Sequence, residues 1–140
     1  MRFWRLAPIP TMEETFSGDG ARQYPGRWNE DGVPVVYVAS QRPLAVLELL
    51  AHARPTQLQH LPHYFYSVDV PGDVIETITP KVLATLGGWN TSTPVAAQAY
   101  GSAWALAQRS LALVIPSVLI SGETNALLNP QHPAAEKLVI

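Results

Sequence analysis

Residues 24–53 read YPGRWNEDGVPVVYVASQRPLAVLELLAHA, and this stretch decides the predicted fold. It predicts a glycine-containing loop, a strand over residues 33–40, and a helix from about Pro43 to about Ala53. Within that helix, Glu48 is the only charged residue between positions 43 and 51. A helix that is apolar on all sides is expected to be buried, and a buried carboxylate is costly unless another group pairs with it. We therefore interpret Glu48 as a buried functional acid; the alternative is a structural ion pair with a core arginine.

The composition favours one soluble, intracellular domain over residues 1–140, with the cytoplasm as the predicted location. Of the 140 residues, 47% are hydrophobic and only 14% are charged, and the net charge is −2. This charge offers no basic face, so direct binding of nucleic acid is not expected. No apolar run is long enough to span a membrane.

A metal site is not expected from the sequence. The chain has no cysteine, which excludes thiolate sites and disulfides. His60 and His63 lie in a proline-flanked stretch without a nearby acid, so we interpret them as surface loop residues rather than zinc ligands.

The remaining pattern predicts an α+β fold: a single compact domain with small mixed β-sheets flanked by helices. Further strands are predicted over residues 2–6, 64–70 and 111–120, with a short strand at the C-terminus. Thr79-Pro80 and Thr93-Pro94 predict the starts of helices that end near Leu86 and Arg109. Residues 15–32 are predicted to be a loop, and the NPQHP segment is predicted to be a turn.

Arg27 is a candidate anion-binding residue in the loop that contains Gly26. Glycine allows the backbone to approach a ligand closely, and arginine offers a fixed fork of donors for phosphate or carboxylate. The neighbouring Trp28 either anchors the loop or stacks on a planar ligand. The glycines match neither the dinucleotide fingerprint nor a Walker loop, and a solvated loop arginine is the alternative.

Polar residues on other elements are further candidates. Tyr37 is predicted either as a core tyrosine or as part of a cleft that it shares with Glu48. Ser117 follows a proline in an apolar strand, and no nucleophilic-serine motif is present. We interpret it as a hydroxyl that contacts a ligand, with a bond to nearby backbone as the alternative. Further polar residues near this strand are Glu123, Asn125 and Asn129, and the pairs Asn129-Pro130 and His132-Pro133 predict turns.

With these residues the sequence strongly resembles the RES-domain family, which is named for an arginine, a glutamate and a serine. The resemblance covers nearly the whole chain, from FWRL through GRWN, VPVVYVAS and LAVLELLAH to IPSV and ETNALLNPQHP. By position, the family arginine, tyrosine, glutamate and serine fall on Arg27, Tyr37, Glu48 and Ser117. One departure is Ser102, at a position where an acid is expected.

The resemblance implies a fold similar to that of ADP-ribosyltransferases and an enzyme that acts on NAD⁺ as the toxin of a bacterial toxin–antitoxin pair. The implied reaction is cleavage of the nicotinamide–ribose bond by hydrolysis, or by phosphorolysis with inorganic phosphate as co-substrate, and it requires no metal. A protein ADP-ribosyltransferase is the alternative. The implied partner is an Xre-type helix-turn-helix antitoxin that covers the active site, and the oligomeric state, including a homodimer, is left open.

The same resemblance assigns roles to the candidate residues. Glu48 is expected to stabilise the positive charge that develops on the ribose, and Arg27 to bind the pyrophosphate or an incoming phosphate. Tyr37 is expected to stack on the nicotinamide or to orient the ribose. The residues expected to complete the NAD⁺-binding set are Trp28, Ser117 and Asn129. A different class of protein, a catalytically silent interaction module, would use Glu48 as a structural partner of Arg27 or Arg5.

Overall fold

The computed structural model describes residues 1–52 and 61–140, and within these residues six strands form one mixed sheet. The order across the sheet is β3-β1-β2-β6-β5-β4, and every neighbouring pair is antiparallel except β4 and β5. The α+β prediction is confirmed, but one continuous sheet replaces the predicted small sheets. The strands are β1 (Arg2–Ala7), β2 (Val36–Ala39), β3 (Tyr64–Asp69), β4 (Ile75–Thr77), β5 (Ala112–Pro116) and β6 (Thr124–Leu128).

The helices begin close to the predicted positions. At the start of α4 the Thr79 side chain accepts a hydrogen bond from the Val82 N–H, as the Thr-Pro pair predicts. No helix in the described part of the chain is both long enough and apolar enough to cross a membrane. The helices are α1 (Met12–Thr15), α2 (Asp19–Gln23), α3 (Arg42–His52), α4 (Pro80–Leu83) and α5 (Val95–Leu106), with 3₁₀ turns at Gly72–Val74 and Ala135–Lys137.

Four predicted segments differ from the structure. The strand predicted over residues 111–120 is shorter and ends at Pro116, so Ser117 follows the strand. The predicted loop over residues 15–32 contains α2, one short helical turn in which Arg22 pairs with Asp19 at 3.2 Å. The polar stretch before NPQHP forms β6, because β2 and β5 pair with it on both sides. The predicted C-terminal strand is reduced to a single bridge between Asp69 and Val139.

The centre of the sheet is buried on both faces. On β5, Ala112 and Val114 belong to one core cluster, whereas Leu113 and Ile115 belong to the other. This alternation follows from the two-residue period of a strand. On β2 the same alternation places Tyr37 against the second cluster, which also contains the fully buried rings of Trp28 and Trp104.

The sheet is weakly paired where β1 meets β2, because the register joins only Trp4 with Ala39. Next to this pair, the Arg5 guanidinium on β1 donates a hydrogen bond to the Tyr37 carbonyl oxygen on β2 at 2.8 Å. The helix α3 packs on the same region through Leu44. The Arg5–Tyr37 hydrogen bond therefore links β1 to β2 at the place where their backbone pairing is sparse.

Candidate active site

A cleft of about 740 Å³ opens between β1, β2, α3 and the loop before Trp28. This volume is typical of small-molecule sites. The structure brings the three predicted catalytic residues, Arg27, Tyr37 and Glu48, to its walls. The other charged or amide side chains on the walls include Arg5, Glu14, Gln98 and Asn125.

Glu48 lies at the wall of this cleft with 28% of its side chain exposed. Its Oε1 atom accepts a hydrogen bond from Asn125 Nδ2 at 2.7 Å and one from Ser117 Oγ at 3.3 Å. The Oε2 atom lies 3.9 Å from His52 Nε2. Among residues 1–52 and 61–140, no arginine lies within ion-pair distance of Glu48, so neither Arg5 nor Arg27 forms the ion pair of the predicted alternative.

The prediction that the helix around Glu48 is buried on all sides is wrong. Leu44 and Ala45 of α3 are buried, but Leu47 and Leu50 are 41% and 51% exposed. The helix packs on the sheet with one face only, so its other leucines reach the surface. Glu48 is consequently half-buried and reachable from the cleft, which a functional acid requires.

Ser117, at the end of β5, supports Glu48 from behind the cleft wall. It is 6% exposed, and its Oγ donates to Glu48 while it accepts from the backbone N–H groups of Leu119 and Ile120 at 3.1 and 3.2 Å. The hydroxyl therefore has both its proton and its lone pairs engaged. This geometry favours an orienting role over the predicted contact with a ligand.

The Tyr37 hydroxyl is engaged with the loop that carries Arg27. It donates to Asn29 Oδ1 at 2.7 Å and accepts from the Trp28 N–H at 2.9 Å. Burial raises the pKa of the Tyr37 phenol well above its usual value, so the group stays protonated at physiological pH. Because the hydroxyl is occupied, the ring is the part of Tyr37 that remains to contact a ligand.

The side chains of Arg27 and Trp28 lie in different surroundings. The Arg27 side chain lines the cleft, and its Nη1 atom donates to the carbonyl oxygens of Trp89 and Thr91 at 2.8 and 2.5 Å. The Trp28 side chain is 1% exposed and lies with its ring centroid 6.4 Å from that of Trp89. Of the two roles predicted for Trp28, this burial favours the anchor.

Asn29 is a structural residue of the site that no sequence prediction singles out. It is completely buried. Its Oδ1 accepts from the Gly26 N–H and the Tyr37 hydroxyl, and its Nδ2 donates to the carbonyl oxygen of Ala21 at 2.8 Å and of Val33 at 3.1 Å. The hydrogen bonds of this one buried side chain therefore hold the loop in its observed conformation. The available signal in the sequence is its place beside Trp28 in the GRWN segment.

Arg5, which the sequence predicts only as an alternative ion-pair partner of Glu48, lies at the site without pairing with that carboxylate. Its guanidinium lines the cleft, and one end donates to the Tyr37 carbonyl oxygen. The Nε atom is inaccessible to solvent and has no hydrogen-bond partner among the described residues. Burial lowers the pKa of Arg5 from its usual value. The positive charge of Arg5 beside the cleft favours an anionic ligand there, whereas its Nε–H group is closed to solvent.

Asn129 does not join the other predicted residues. It is 1% exposed, its Nδ2 donates to the Ala105 carbonyl oxygen at 2.9 Å, and its Oδ1 accepts from the Gln131 N–H at 3.0 Å. These bonds hold the turn after β6 against α5. The amide that reaches the cleft from β6 is instead that of Asn125.

Two other predictions concern histidines and Ser102. In the described part of the chain, no group of three or more His, Cys, Asp or Glu side chains is placed to hold a metal. His60 lies outside the described residues, whereas the His63 ring forms a hydrogen bond with the Leu61 carbonyl oxygen near the surface. Ser102 is buried and its Oγ accepts from the Glu30 N–H at 2.7 Å, so it joins α5 to the loop.

The sequence matches the family model described as the RES domain over residues 2–140. It is 41% identical over 140 residues to a protein of Sphingobium sp. (strain YBL2) named "Prs ADP-ribosylating toxin", with 96% of this chain and 85% of that protein covered. It is 36% identical over 140 residues to "Toxin Res" of Photorhabdus laumondii subsp. laumondii, with 99% and 88% covered.

A solved structure has a similar fold. It is titled as the crystal structure of the M. tuberculosis MbcT–MbcA toxin–antitoxin complex, and the match has a TM-score of 0.73. The match covers 98% of this chain and 79% of that chain. At 19% sequence identity, this likeness concerns the fold alone.

Proposed function

The chain belongs to the RES domain family, and on that premise we propose that it is a bacterial toxin that consumes NAD⁺ by cleaving the nicotinamide–ribose bond. The observation that carries the proposal is the Glu48 carboxylate, which two neighbouring donors hold at the wall of a cleft. The two named relatives support a toxin role through their printed names.

The proposed reaction suits a site of this composition. Nicotinamide leaves as a neutral ring from a cationic one, so the leaving group needs no general acid. Positive charge instead develops on the ribose, as it does in glycoside cleavage. A fixed carboxylate beside that charge stabilises the transition state, and such preorganised electrostatics is usually the largest contribution to catalysis.

Two arginines of the cleft are suited to the pyrophosphate of NAD⁺ or to an incoming phosphate. Two backbone carbonyl oxygens brace Arg27, and Arg5 places a positive charge beside the cleft. Both arginines present donors in a fixed geometry, which matches phosphate oxygens. The Tyr37 ring also lines the cleft and completes the proposed binding surface.

The proposed function is tested by incubating the purified protein with NAD⁺, with and without inorganic phosphate, and identifying the products by mass spectrometry. We expect free nicotinamide in the reaction with phosphate, and also in the reaction without phosphate if water is an acceptor. Free ADP-ribose indicates hydrolysis, and its phosphorylated form, found only with phosphate, indicates phosphorolysis. Intact NAD⁺ in every reaction, including one supplied with cell extract as a source of acceptor proteins, contradicts the proposal.

Arg5→Gln and Arg27→Gln are each expected to raise the KM for NAD⁺ by about 10- to 100-fold, because a hydrogen bond to a charged group contributes about 1.5–3 kcal/mol. Steady-state kinetics measures the effect. Arg2→Gln is the matched control on the same strand as Arg5, because Arg2 is exposed and pairs with Asp69 outside the cleft. If KM is unchanged in both cleft variants, neither arginine binds the substrate.

A second candidate function is transfer of ADP-ribose to a protein. The observation that favours it is the printed name of the Sphingobium relative, an ADP-ribosylating toxin. The same residues serve both reactions, because both begin with loss of nicotinamide. Radiolabelled NAD⁺ added to a cell extract distinguishes them: labelled protein bands favour the transferase, and label recovered only in small molecules favours NAD⁺ degradation.

The proposed partner is an Xre-type antitoxin that covers the cleft in the cytoplasm. A toxin–antitoxin complex among the solved structures of similar fold supports this class of partner. We expect growth arrest when the protein is expressed in bacteria and relief of the arrest when its antitoxin is co-expressed. A purified complex that still cleaves NAD⁺ at the full rate would contradict coverage of the cleft.

A further inference from the structure

The two oxygen atoms of Glu48 have different surroundings. Oε1 accepts two hydrogen bonds, from Asn125 Nδ2 at 2.7 Å and from Ser117 Oγ at 3.3 Å. The neighbour of Oε2 is His52 Nε2 at 3.9 Å, which is beyond hydrogen-bond distance. The donors on Oε1 therefore fix the orientation of the carboxylate and leave Oε2 available to a ligand.

Asn125 is held firmly enough to act as such a donor. Its backbone pairs with Ala39 on β2 and with Ile115 on β5, so strands on both sides fix its position. Its amide orientation follows from the charge of its neighbour. A flipped amide would place Oδ1 against the Glu48 carboxylate, and two acceptors repel each other.

This placement of Asn125 is costly for folding. Its Oδ1 atom is buried and has no hydrogen-bond partner among the described residues, and a buried unsatisfied acceptor costs free energy. The residues that follow it on the strand, Ala126, Leu127 and Leu128, are all buried and apolar. Packing alone would favour an apolar side chain at position 125, so the amide requires another reason.

From this geometry we infer that Asn125 is a positioning residue for Glu48 in the proposed NAD⁺-cleaving reaction. Its Nδ2–H group holds Oε1 so that Oε2 faces the sugar on which charge develops. The inference rests on the proposed function, and it adds to that function the residue that orients the Glu48 carboxylate. Asn125 acts through Glu48, and its own contact with the substrate is not required.

The first test is a double-mutant cycle. Asn125→Ala is expected to lower kcat by about 100-fold, the usual consequence of misplacing a reacting group by about 1 Å, and to change KM less than about threefold. Combined with Glu48→Gln, the same substitution should cause no further loss, because residues that act as a unit are not additive. Thermal unfolding measured beside the kinetics checks that each variant is folded.

The second test uses the nearly isosteric Asn125→Asp variant, which places a second carboxylate beside Oε1. Two adjacent carboxylates share a proton, because both cannot ionise at low cost. At about pH 8 we expect kcat at least about 100-fold below that of the unmodified protein. At about pH 5 the shared proton restores a donor to Oε1, so the ratio of the two kcat values should recover to within about 10-fold.

Other groups of the cleft also change the charge around Glu48. The His52 imidazole lies 3.9 Å from Glu48 Oε2, so the profiles are repeated in a His52→Gln background. The remaining charged or titratable side chains that line the cleft are Arg5, Glu14, Tyr24, Arg27 and Tyr37. These side chains are the same in the unmodified protein and in Asn125→Asp. The ratio of the two kcat values therefore reports the effect of position 125 alone.

The outcomes separate the two proposals. If the unmodified protein releases no nicotinamide, the proposed function is wrong, and the role of Asn125 is then wrong as well. If the unmodified protein is active but Asn125→Ala keeps its kcat, or its loss adds fully to that of Glu48→Gln, only the role of Asn125 is wrong. A pH-independent ratio for Asn125→Asp also overturns that role, because it would show a structural defect.

Discussion

Glu48→Gln is expected to lower kcat for nicotinamide release by about 1000-fold, the effect typical of removing one preorganised electrostatic group. Glutamine keeps the size of the side chain but removes the negative charge. Its carbonyl oxygen still accepts the bonds that Asn125 Nδ2 and Ser117 Oγ donate to Glu48 Oε1. The loss should therefore fall on the transition state, with KM changed far less than kcat.

The control for charge is Glu13→Gln, which removes an exposed carboxylate on α1 outside the cleft and should leave kcat unchanged. Thermal unfolding distinguishes the enzyme from an interaction module. In an enzyme, Glu48→Gln should unfold at nearly the same temperature as the unmodified protein. A variant that keeps full activity, or a lowered melting temperature with NAD⁺ intact in both proteins, contradicts the assignment.

The sequence is sufficient to single out Glu48, because one charge in an apolar helix is a local pattern. It is not sufficient to predict the exposure of that helix. Leu47 and Leu50 suggest burial on all sides, yet the buried residues of α3 in the described part of the chain are Leu44 and Ala45, and Leu47 and Leu50 lie at the surface. Which face of an apolar helix is covered depends on the tertiary arrangement, and hydrophobicity alone does not encode it.

The strand that carries Asn125 could not be predicted from the local sequence. Asparagine is common in turns, and the local pattern around Asn125 and Asn129 predicts no strand. In the structure the strand β6 forms because β2 and β5 supply pairing on both sides. Such non-local pairing overrides local propensity. Only the resulting register brings the Asn125 amide within 2.7 Å of Glu48.

Arg5 shows a related limit. The opening strand forms where the sequence predicts it, and the two-residue period of a strand places Arg2 and Arg5 on opposite faces. Which of the two lies beside a cleft depends on the tertiary arrangement. Arg2 is exposed and pairs with Asp69, whereas Arg5 crosses to the Tyr37 carbonyl oxygen. The strand β3 pairs with both residues, opposite Asp69 and Tyr66, and the difference is that Arg5 also reaches β2 on the other side of β1.

Gly101→Ala is expected to destabilise the fold by about 3 kcal/mol and to lower the melting temperature by about 10 °C. A Cβ atom at position 101 would lie 1.8 Å from the Trp28 carbonyl oxygen, so helix and loop must separate. The next residue on α5, Ser102, accepts the Glu30 N–H at 2.7 Å, which fixes the same contact. Because the loop also carries Arg27, any folded fraction should bind NAD⁺ more weakly.

The matched control is Gly20→Ala on α2, where an added Cβ atom would meet no heavy atom within 4 Å beyond its own helix and chain neighbours. There alanine should stabilise the protein by about 0.5–1 kcal/mol, because it is the better helix former and restricts the unfolded chain. If the free energy of unfolding falls for Gly101→Ala and rises for Gly20→Ala, the cause of the loss is the close approach of α5 to the Trp28 backbone. If urea unfolding shows that Gly101→Ala is as stable as the unmodified protein, α5 does not dock on the loop as described.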